Sequence, residues 1–256
     1  MIRLLILAII AAVPAWAGPL DYCRAMLPDG QVPIYREAPA RHTELCRHGY
    51  VVSHDDAAHE PRWVAWLLTA EHLRLPHVAR TNDFRADPDL PPGAGARVAD
   101  YRGSGYDMGH MSDAEDQAWS ADTEHESFLL SNMIPQCPPC NRAAWRYLED
   151  WTRAQAMRLG AVYVLAGPIF GSAPKTIGPD RVVVPMAAWR LIVAGAQAWA
   201  FIVPNEADKL RPGADVTPYE TMVEAVEDAA GLTLRGEDSL FLRLRTAVEV
   251  CCRGAD

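Results

Sequence analysis

Three side chains stand at spacings that suit metal-assisted hydrolysis: a histidine, an amide and a carboxylate. His110 ends a stretch, residues 101–110, whose glycines let the backbone turn and let a phosphate approach closely. Asn141 and Glu149 follow at a spacing that places them on one side of a helix. Histidine can deprotonate water near neutral pH because its ordinary pKa is about 6.5. Since amide and carboxylate oxygens suit Mg²⁺, the set could place a base beside a hydrated cation and cleave a phosphodiester.

A long helix is predicted to carry two of these side chains. It runs from Pro139 to Gly160, with proline near its start and glycine just past its end. Asn141, Trp145 and Glu149 lie on one side of this helix because they are spaced four residues apart. A lone asparagine near a helix start is usually a cap, so the catalytic hypothesis depends on the joint pattern rather than on any one residue.

The rest of the chain is predicted to form short strands and loops. The expected strands are residues 49–53, 62–69, 161–166, 181–185, 189–193 and 199–203. Residues 181–185 and 189–193 are expected to pair with each other. Residues 83–93 are rich in turn formers and are expected to be a surface loop, and residues 114–126 a loop with one short helix.

Near the other end of the chain, Thr217–Glu220 fits a capping box that predicts a helix ending at Gly231. Strands and helices are mixed without regular alternation. This pattern favours an α+β fold with a central, mainly antiparallel sheet flanked by helices.

The overall charge limits the class of nucleic-acid partner. The chain has 256 residues, of which 50% are hydrophobic, and a formal net charge of −9. An acidic chain argues against a sequence-reading DNA-binding protein with a wide basic face, but it permits an enzyme that grips a few phosphates locally. Several arginines crowd the predicted helix, and on spacing alone they would form a solvated face: Arg142, Arg146, Arg153 and Arg158.

The first 17 residues resemble a signal peptide. Met1–Arg3 is a short positive segment, residues 4–13 are an apolar run, and Ala15 and Ala17 are small residues where a signal peptidase would cleave. The run is too short for a membrane span, which needs roughly 20 apolar residues, although a retained anchor is the alternative. We expect an exported protein, periplasmic or extracellular, without a membrane segment after cleavage.

Six cysteines follow this segment, and an even number in an exported chain indicates disulfides: Cys23, Cys46, Cys137, Cys140, Cys251 and Cys252. Residues 18–47 are proline-rich and expected to be irregular, with Cys23 and Cys46 tying them down. Cys137 and Cys140 could close a small loop on themselves or form half of a zinc site, and the sequence does not choose the pairing.

Residues 101–116, 128–136 and 141–153 resemble the DNA/RNA non-specific endonucleases with the ββα-metal motif. This family includes mitochondrial endonuclease G and secreted bacterial sugar-non-specific nucleases. Its segments Ser-Asn-x-x-Pro-Gln and Asn-x-x-x-Trp-x-x-Leu-Glu stand intact at residues 131–136 and 141–149. A weaker likeness extends over nearly the whole chain. The resemblance implies the ββα-metal nuclease fold in a single domain, residues 18–256.

The resemblance also implies roles for the site residues. His110 matches the general base that activates water, and Asn141 matches the protein ligand of a single Mg²⁺ ion, for which Mn²⁺ or another divalent cation is an alternative. The remaining metal positions are implied to be largely water. Glu149 matches the acidic residue that orients the hydrated metal, and Asn132 a supporting amide.

The implied substrates are DNA and RNA. Arg153, one turn after Glu149, matches a substrate-contacting arginine, and Arg80 is a candidate phosphate-binding arginine from the preceding loop. Arg142 and Asp107 complete the expected substrate-binding set. Relatives of this kind are often dimers, which leaves a homodimer open.

One signature residue departs from the family. Its Asp-Arg-Gly-His segment has Met108 in place of the arginine, and a thioether cannot donate the paired hydrogen bonds of a guanidinium to phosphate. Three outcomes follow from this replacement. Another arginine could supply the charge, namely Arg80, Arg102 or Arg142. Alternatively, the enzyme could be slow or selective for a different substrate, or catalysis could be lost while binding is kept. Retention of the base, the amide and the carboxylate argues against loss of catalysis.

The leading hypothesis is an exported, Mg²⁺-dependent endonuclease that cuts DNA and RNA with little sequence preference, because the expected contacts go to phosphate and metal. The alternative is a catalytically weakened, nuclease-like protein that binds nucleic acid or a protein partner. A hydrolase using Ser112, His110 and Asp116 is weaker, because the chain has no Gly-x-Ser-x-Gly nucleophile elbow.

Overall fold

An antiparallel sheet runs through the middle of this protein. The computed structural model describes residues 21–234. Its strands in chain order are β1 (Ile34–Tyr35), β2 (His42–Cys46), β3 (Val51–Asp55), β4 (Glu60–Thr69), β5 (Asp107–His110), β6 (Met133–Gln136), β7 (Ala161–Ile169), β8 (Thr176–Ile177), β9 (Val182–Val183), β10 (Ala187–Ala194), β11 (Gln197–Pro204), β12 (Glu220–Thr221) and β13 (Leu232–Thr233). Within those residues the largest sheet has seven strands, all paired antiparallel, in the order β12-β11-β10-β7-β4-β3-β2.

Helices cover both faces of this sheet. They are α1 (Ala70–Arg74), α2 (Val98–Tyr101), α3 (Ala121–Ser127), α4 (Arg146–Leu159) and α5 (Val223–Ala230), with short 3₁₀ turns between other elements. Alternate residues of a strand point to opposite faces, so on β4 Trp63 enters one core, and Val64 and Trp66 enter the other. Leu148 of α4 packs on the Trp66 side and Val226 of α5 on the Trp63 side. This architecture confirms the predicted α+β fold.

A separate two-stranded ribbon carries the start of the predicted site. Strand β5 pairs with β6 so that His110 lies opposite Met133 and Asp107 lies opposite Gln136. The chain between them makes an excursion that contains α3. After β6 it passes directly into the helix, so the order strand, strand, helix brings residues from all three elements together.

The long helix begins differently from the prediction. Its first segment, Cys140–Trp145, is π-helical, and the α-helical part α4 follows. A π-turn accommodates an extra residue and is often found at functional sites. Asn141 therefore belongs to the wider turn, whereas Glu149 belongs to α4. The predicted end at Gly160 is confirmed, since this residue caps α4 with φ 91°.

Residues 181–185 and 189–193 do not pair with each other, so that prediction is wrong. Strand β9 pairs with β8 in its own ribbon, whereas β10 lies between β7 and β11. Both neighbours of β10 are long and pair along most of its length. Its two edges are therefore occupied, and no edge remains for β9.

Two local patterns near the ends of the described chain are overridden by sheet pairing. Thr217–Tyr219 form a 3₁₀ turn and Glu220 pairs with β11, so α5 begins at Val223 rather than after a capping box at Thr217. The helix does end at Gly231, as predicted. Residues 18–47 are not irregular throughout, because they include β2, an edge strand of the main sheet. Long-range pairing outweighs local propensity in both places.

Two disulfides are present in the described residues. Cys23 pairs with Cys46, which ties the 3₁₀ segment Asp21–Met26 to β2 as expected. Cys137 pairs with Cys140 and closes the short loop between β6 and the π-turn. Because the two sulfurs are bonded to each other, this loop is not half of a zinc site.

The predicted signal peptide, residues 1–17, lies outside the described residues, as do Cys251 and Cys252. No helix within residues 21–234 combines the length and the apolar character that crossing a bilayer requires. Export and the pairing of the last two cysteines therefore stay predictions.

We predict that the Cys23→Ser/Cys46→Ser double variant loses about 3 kcal/mol of unfolding free energy, because the disulfide closes a loop with a sequence separation of 23 residues and restricts the unfolded chain. The matched control is Cys137→Ser/Cys140→Ser, whose separation is 3 residues and whose loss should be smaller. Urea unfolding of the two variants and the wild type measures both values. An equal loss in the two double variants would contradict the loop-length argument.

Candidate active site

A groove of about 1150 Å³ opens between the β5–β6 ribbon and the start of the long helix. Most of the site residues expected from the sequence line this groove: Arg80, Asp107, His110, Asn141, Arg142, Glu149 and Arg153. The tertiary structure thus places the imidazole, the amide and the carboxylate at one cavity, although they come from three different elements.

His110 is buried at the inner side of the groove, with 7% of its surface exposed. Its ring meets the rings of Phe84 and Phe128 edge-on, at centroid distances of 5.5 and 5.0 Å. Burial lowers the pKa of His110 to about 4, an effect that the Asp113 carboxylate opposes and the Arg80 cation reinforces. The imidazole is therefore neutral at pH 7 and can accept a proton.

The Nε2 atom of His110 is buried and has no hydrogen-bond partner among the described residues. A buried polar atom without a partner costs free energy, so a water or substrate atom bound in the groove would be stabilised there. The backbone carbonyl of His110 accepts a hydrogen bond from Trp145 Nε1 at 3.0 Å, which joins β5 to the π-turn.

Asp107 holds the groove side of the π-turn in place. Asn141 Nδ2 donates to Asp107 Oδ2 at 3.1 Å. Arg142 donates through Nε and Nη2 to the two oxygens of the same carboxylate, both at 2.8 Å. With its amide nitrogen bonded to Asp107, Asn141 can offer its Oδ1 to a cation. Asp107 and Arg142, both expected at the substrate, are thus paired with each other in this structure.

Asn132 supports the site without lining the groove. Its Oδ1 accepts from the backbone N–H of Ser112 at 2.9 Å, and its Nδ2 donates to the carbonyls of Ser112 at 2.8 Å and Ser127 at 2.9 Å. The side chain is fully buried. It therefore fixes the chain that follows His110 against the start of β6.

A cluster of mostly buried charges lies along the groove, and Arg153 is at its centre. Its guanidinium contacts Asp113, Asp116 at 3.0 Å and Asp150 at 2.7 Å. Only 12% of the Arg153 side chain is exposed. This arginine, expected at the substrate, mainly neutralises carboxylates in the present structure.

Glu149 belongs to the same cluster. Burial raises its pKa well above the usual range, with a further contribution from Asp113, whereas Arg190 and Arg153 oppose the rise. Burial and then Asp113 also raise the pKa of Asp116 to about 6. The two arginines therefore decide how many of these carboxylates are ionised at neutral pH.

Arg190 was not among the residues that the sequence indicated. It lies on β10 with no exposed surface, and its Nη2 is 3.8 Å from Glu149 Oε1. The guanidinium lies over the rings of Trp145 and Trp66, at 4.5 and 5.4 Å, and donates to the carbonyl of Met111 at 3.2 Å. The sequence signal for Arg190 is its place within the apolar run of residues 189–193, because an arginine that is buried needs a partner of opposite charge.

Arg80 is an exposed arginine close to His110. Its guanidinium lies over the ring of Phe128 at 4.8 Å, and its Nε donates to Asn82 Oδ1 at 2.8 Å. Its charge contributes to the low pKa of His110, so it is close enough to act on the same bound group. This cation has no carboxylate partner among the described residues.

A family model described as DNA/RNA non-specific endonuclease matches residues 34–237. This chain belongs to that family. It is 33% identical to mitochondrial Nuclease 1 of Schizosaccharomyces pombe over 232 residues, which cover 80% of this chain and 70% of that protein. It is 33% identical to human mitochondrial Endonuclease G over 206 residues, or 73% of this chain and 67% of that protein. A solved EndoG/EndoGI complex contains a chain with 30% identity and a TM-score of 0.70, covering 77% of this chain and 87% of that one.

Family membership confirms the resemblance seen in the sequence. The protein is accordingly an enzyme that hydrolyses nucleic acid, which favours catalysis over the binding-only alternative. A ββα-metal nuclease also implies a divalent metal ion.

The donor set of the groove fits a hydrated divalent cation. Within residues 21–234, no three His, Cys, Asp or Glu side chains are grouped so that they could hold a metal ion. The groove instead offers the amide oxygen of Asn141 with the Glu149 carboxylate on the same helix. One amide ligand with the other positions filled by water suits Mg²⁺, which gives up its waters reluctantly.

We predict that the His110 imidazole of the metal-free protein titrates near pH 4, as followed by histidine NMR. The Phe84→Ala variant should move the midpoint towards 6.5, because water then reaches a ring whose pKa is lowered mainly by burial. Trp119→Ala serves as a control, since that ring stacks on His72. A wild-type midpoint at 6.5 would disprove the burial argument.

We predict that Arg190→Met destabilises the protein, and more strongly at pH 8 than at pH 5. Without this cation the folded-state pKa values of Glu149 and Asp116 rise further above their unfolded values, so stability is lost as pH increases through that interval. The loss at pH 8 should reach about 3–5 kcal/mol, as for a broken buried ion pair.

Urea unfolding at the two pH values measures this effect. Arg146→Met is the matched control, because Arg146 and its partner Asp150 are largely exposed and their pair should contribute less than about 1 kcal/mol. A loss of equal size at both pH values would show that Arg190 acts through packing against the tryptophans alone.

Proposed function

We propose that this nuclease is an exported, Mg²⁺-dependent endonuclease that cleaves both DNA and RNA with little sequence preference. The observation that carries the proposal is the groove itself, which is lined by a neutral, buried imidazole with an unpartnered Nε2, by the amide of Asn141 and by the carboxylate of Glu149. A base and a cation ligand on one cavity are what hydrolysis of a phosphodiester needs.

The proton transfer is assigned to His110. Its Nε2 would accept a proton from the attacking water, which the low pKa permits because the ring is unprotonated at neutral pH. The flanking rings of Phe84 and Phe128 hold the imidazole in one orientation. When bound, Mg²⁺ would supply the positive charge that stabilises the phosphate oxygens and the leaving 3′ oxygen.

Positioning of the cation is assigned to the helix. Asn141 would bind it through Oδ1, and the hydrogen bond from Asn141 to Asp107 fixes the direction of that oxygen. Glu149 follows eight residues later on the same side of the helix and would orient the water molecules around the cation. Mn²⁺ or another divalent ion with the same preference for oxygen would fit the same donors.

Substrate binding is assigned mainly to Arg80. This guanidinium is exposed in the groove and lies near His110, whereas Arg142 and Arg153 are paired with carboxylates. Contacts of this kind go to phosphate oxygens, which carry no base identity. Little sequence preference and activity on both DNA and RNA follow from this.

Export is proposed from the apolar segment in residues 1–17 and from the two disulfides, which are typical of oxidising compartments. Periplasm and external medium are both compatible with it. Fractionation of the source cells, with sequencing of the mature N-terminus, tests this point. Full-length protein in the cytosol would rule it out.

The test of the activity is digestion of plasmid DNA and of RNA by the mature protein with Mg²⁺. We expect His110→Ala to lower turnover by about 10²–10⁴-fold, as for loss of a general base, and EDTA to abolish cleavage. Intact nucleic acid across several divalent metals would overturn the proposal.

Asn141→Ala separates the metal role from the base. This variant should lose metal affinity and turnover together, whereas His110→Ala should keep its metal affinity. Titration calorimetry with Mg²⁺ or Mn²⁺ measures the affinities, and melting midpoints verify that the variants are folded. Equal metal affinity of Asn141→Ala and the wild type would refute the ligand assignment.

A further inference from the structure

The groove has an apolar side to which the proposed hydrolysis assigns no part of the substrate. Phe84, Tyr106 and Met108 line the groove and are only partly buried. All three pack against one buried cluster, which includes Tyr101 and Met133. They therefore line one apolar region of the groove, which we call the aromatic wall.

The aromatic wall begins beside the base. Residues two apart on a strand share a face and lie about 7 Å apart, so Met108 and His110 of β5 project to the same side of the ribbon. The ring of Phe84 meets the ring of His110 edge-on at 5.5 Å. A group bound on this wall would be next to the phosphate that His110 faces.

The loop before β5 presents Tyr106 in a defined position. Gly103 and Gly105 adopt φ values of 70° and 83°, a region that residues with a side chain rarely adopt. Ser104 Oγ donates to the carbonyl of Tyr101 at 2.8 Å and accepts from the N–H of Tyr106 at 3.1 Å. Little conformational entropy would be lost when a ligand binds against this ring.

The side chains of the wall are poorly suited to a second phosphate. Met108 has no donor for an anion and Tyr106 offers a single hydroxyl, and two of the groove arginines, Arg142 and Arg153, are engaged by carboxylates. Aromatic rings and a polarisable thioether instead suit a flat, partly apolar group.

The groove also has room for such a group. Its volume is about 1150 Å³, whereas the six waters of a hydrated cation occupy about 200 Å³. Space for at least one nucleoside therefore remains beside the phosphate.

We propose that Phe84, Tyr106 and Met108 form a subsite for an unstacked nucleobase next to the scissile phosphate, and that the enzyme therefore prefers single-stranded or locally unpaired nucleic acid to duplex. The inference rests on the proposed function of the same groove. Stacking on an aromatic side chain accepts any base, because every base has a π-face. In a duplex those faces are covered by neighbouring bases and must first be unstacked, at a cost in free energy.

The test compares kcat/KM for a labelled single-stranded DNA oligonucleotide with kcat/KM for the same strand in a duplex, both with Mg²⁺. The wild type should favour the single strand by about tenfold. In Tyr106→Leu this preference should fall about tenfold, as expected for the loss of one stacking ring, whereas Tyr106→Phe should retain it. Met108→Arg should also lower the preference, because a guanidinium binds the backbone of either substrate.

Arg146→Ala is the matched control. Arg146 lines the charged side of the groove, so its removal should weaken both substrates in parallel and leave their ratio unchanged. Melting midpoints of all variants show whether a loss reflects unfolding. If Tyr106→Leu does unfold, the ratio measured for Met108→Arg decides the proposal.

An unchanged ratio in folded Tyr106→Leu, or a wild type that prefers duplex, would overturn the subsite. If the wild type cleaves neither substrate, the proposed function fails instead. In that case the binding affinities of the two oligonucleotides are measured at equilibrium with Ca²⁺ in place of Mg²⁺. The subsite is supported if the wild type and Tyr106→Phe bind the single strand more tightly than the duplex and Tyr106→Leu loses this preference, and it is overturned if Tyr106→Leu keeps it.

Discussion

The active-site groove depends on one buried cation. Arg190, on β10 of the main sheet, lies over the rings of Trp66 and Trp145 and faces Glu149 across 3.8 Å. Three buried carboxylates in this region, those of Glu149, Asp113 and Asp116, would repel one another if ionised, and together with Arg153 the sheet arginine offsets that repulsion. The interaction also joins β10 to α4. The geometry of the site thus depends on charge compensation in the core as well as on apolar packing.

The base and the helix are held by a second set of contacts. Edge-on aromatic rings bury His110 and keep it neutral, and Asn132 binds both the chain that follows β5 and the chain that precedes β6. The π-turn then presents Asn141 to the groove, where Asp107 orients its amide. Rigid support of this kind is required for hydrolysis, since small displacements of a base or a cation ligand lower the rate severely.

Met108, which replaces the arginine of the family signature, has apolar surroundings. The methionine lies on the face of β5 that carries His110 and packs against apolar residues rather than standing alone in a charged groove. Accessible positive charge in the groove comes from exposed arginines, among them Arg80 close to His110. This member of the DNA/RNA non-specific endonuclease family therefore combines exposed groove arginines with an aromatic wall.

Much of the fold, and several of the residues that line the groove, could be predicted from residues that are neighbours in the chain. The periodicity of α4 and the composition of β4 predicted the helix and a strand of the main sheet. The family resemblance singled out His110, Asn141 and Glu149. Each of these signals is local. The tertiary structure alone decided which distant groups meet: Arg190 with Glu149, Arg153 with the buried aspartates, and β12 with β11. An arginine in an apolar strand indicates that a counter-charge must lie nearby. Its identity depends on the packing that brings residues 190 and 149 together, and these residues are too far apart in the chain for a local pattern to predict the contact.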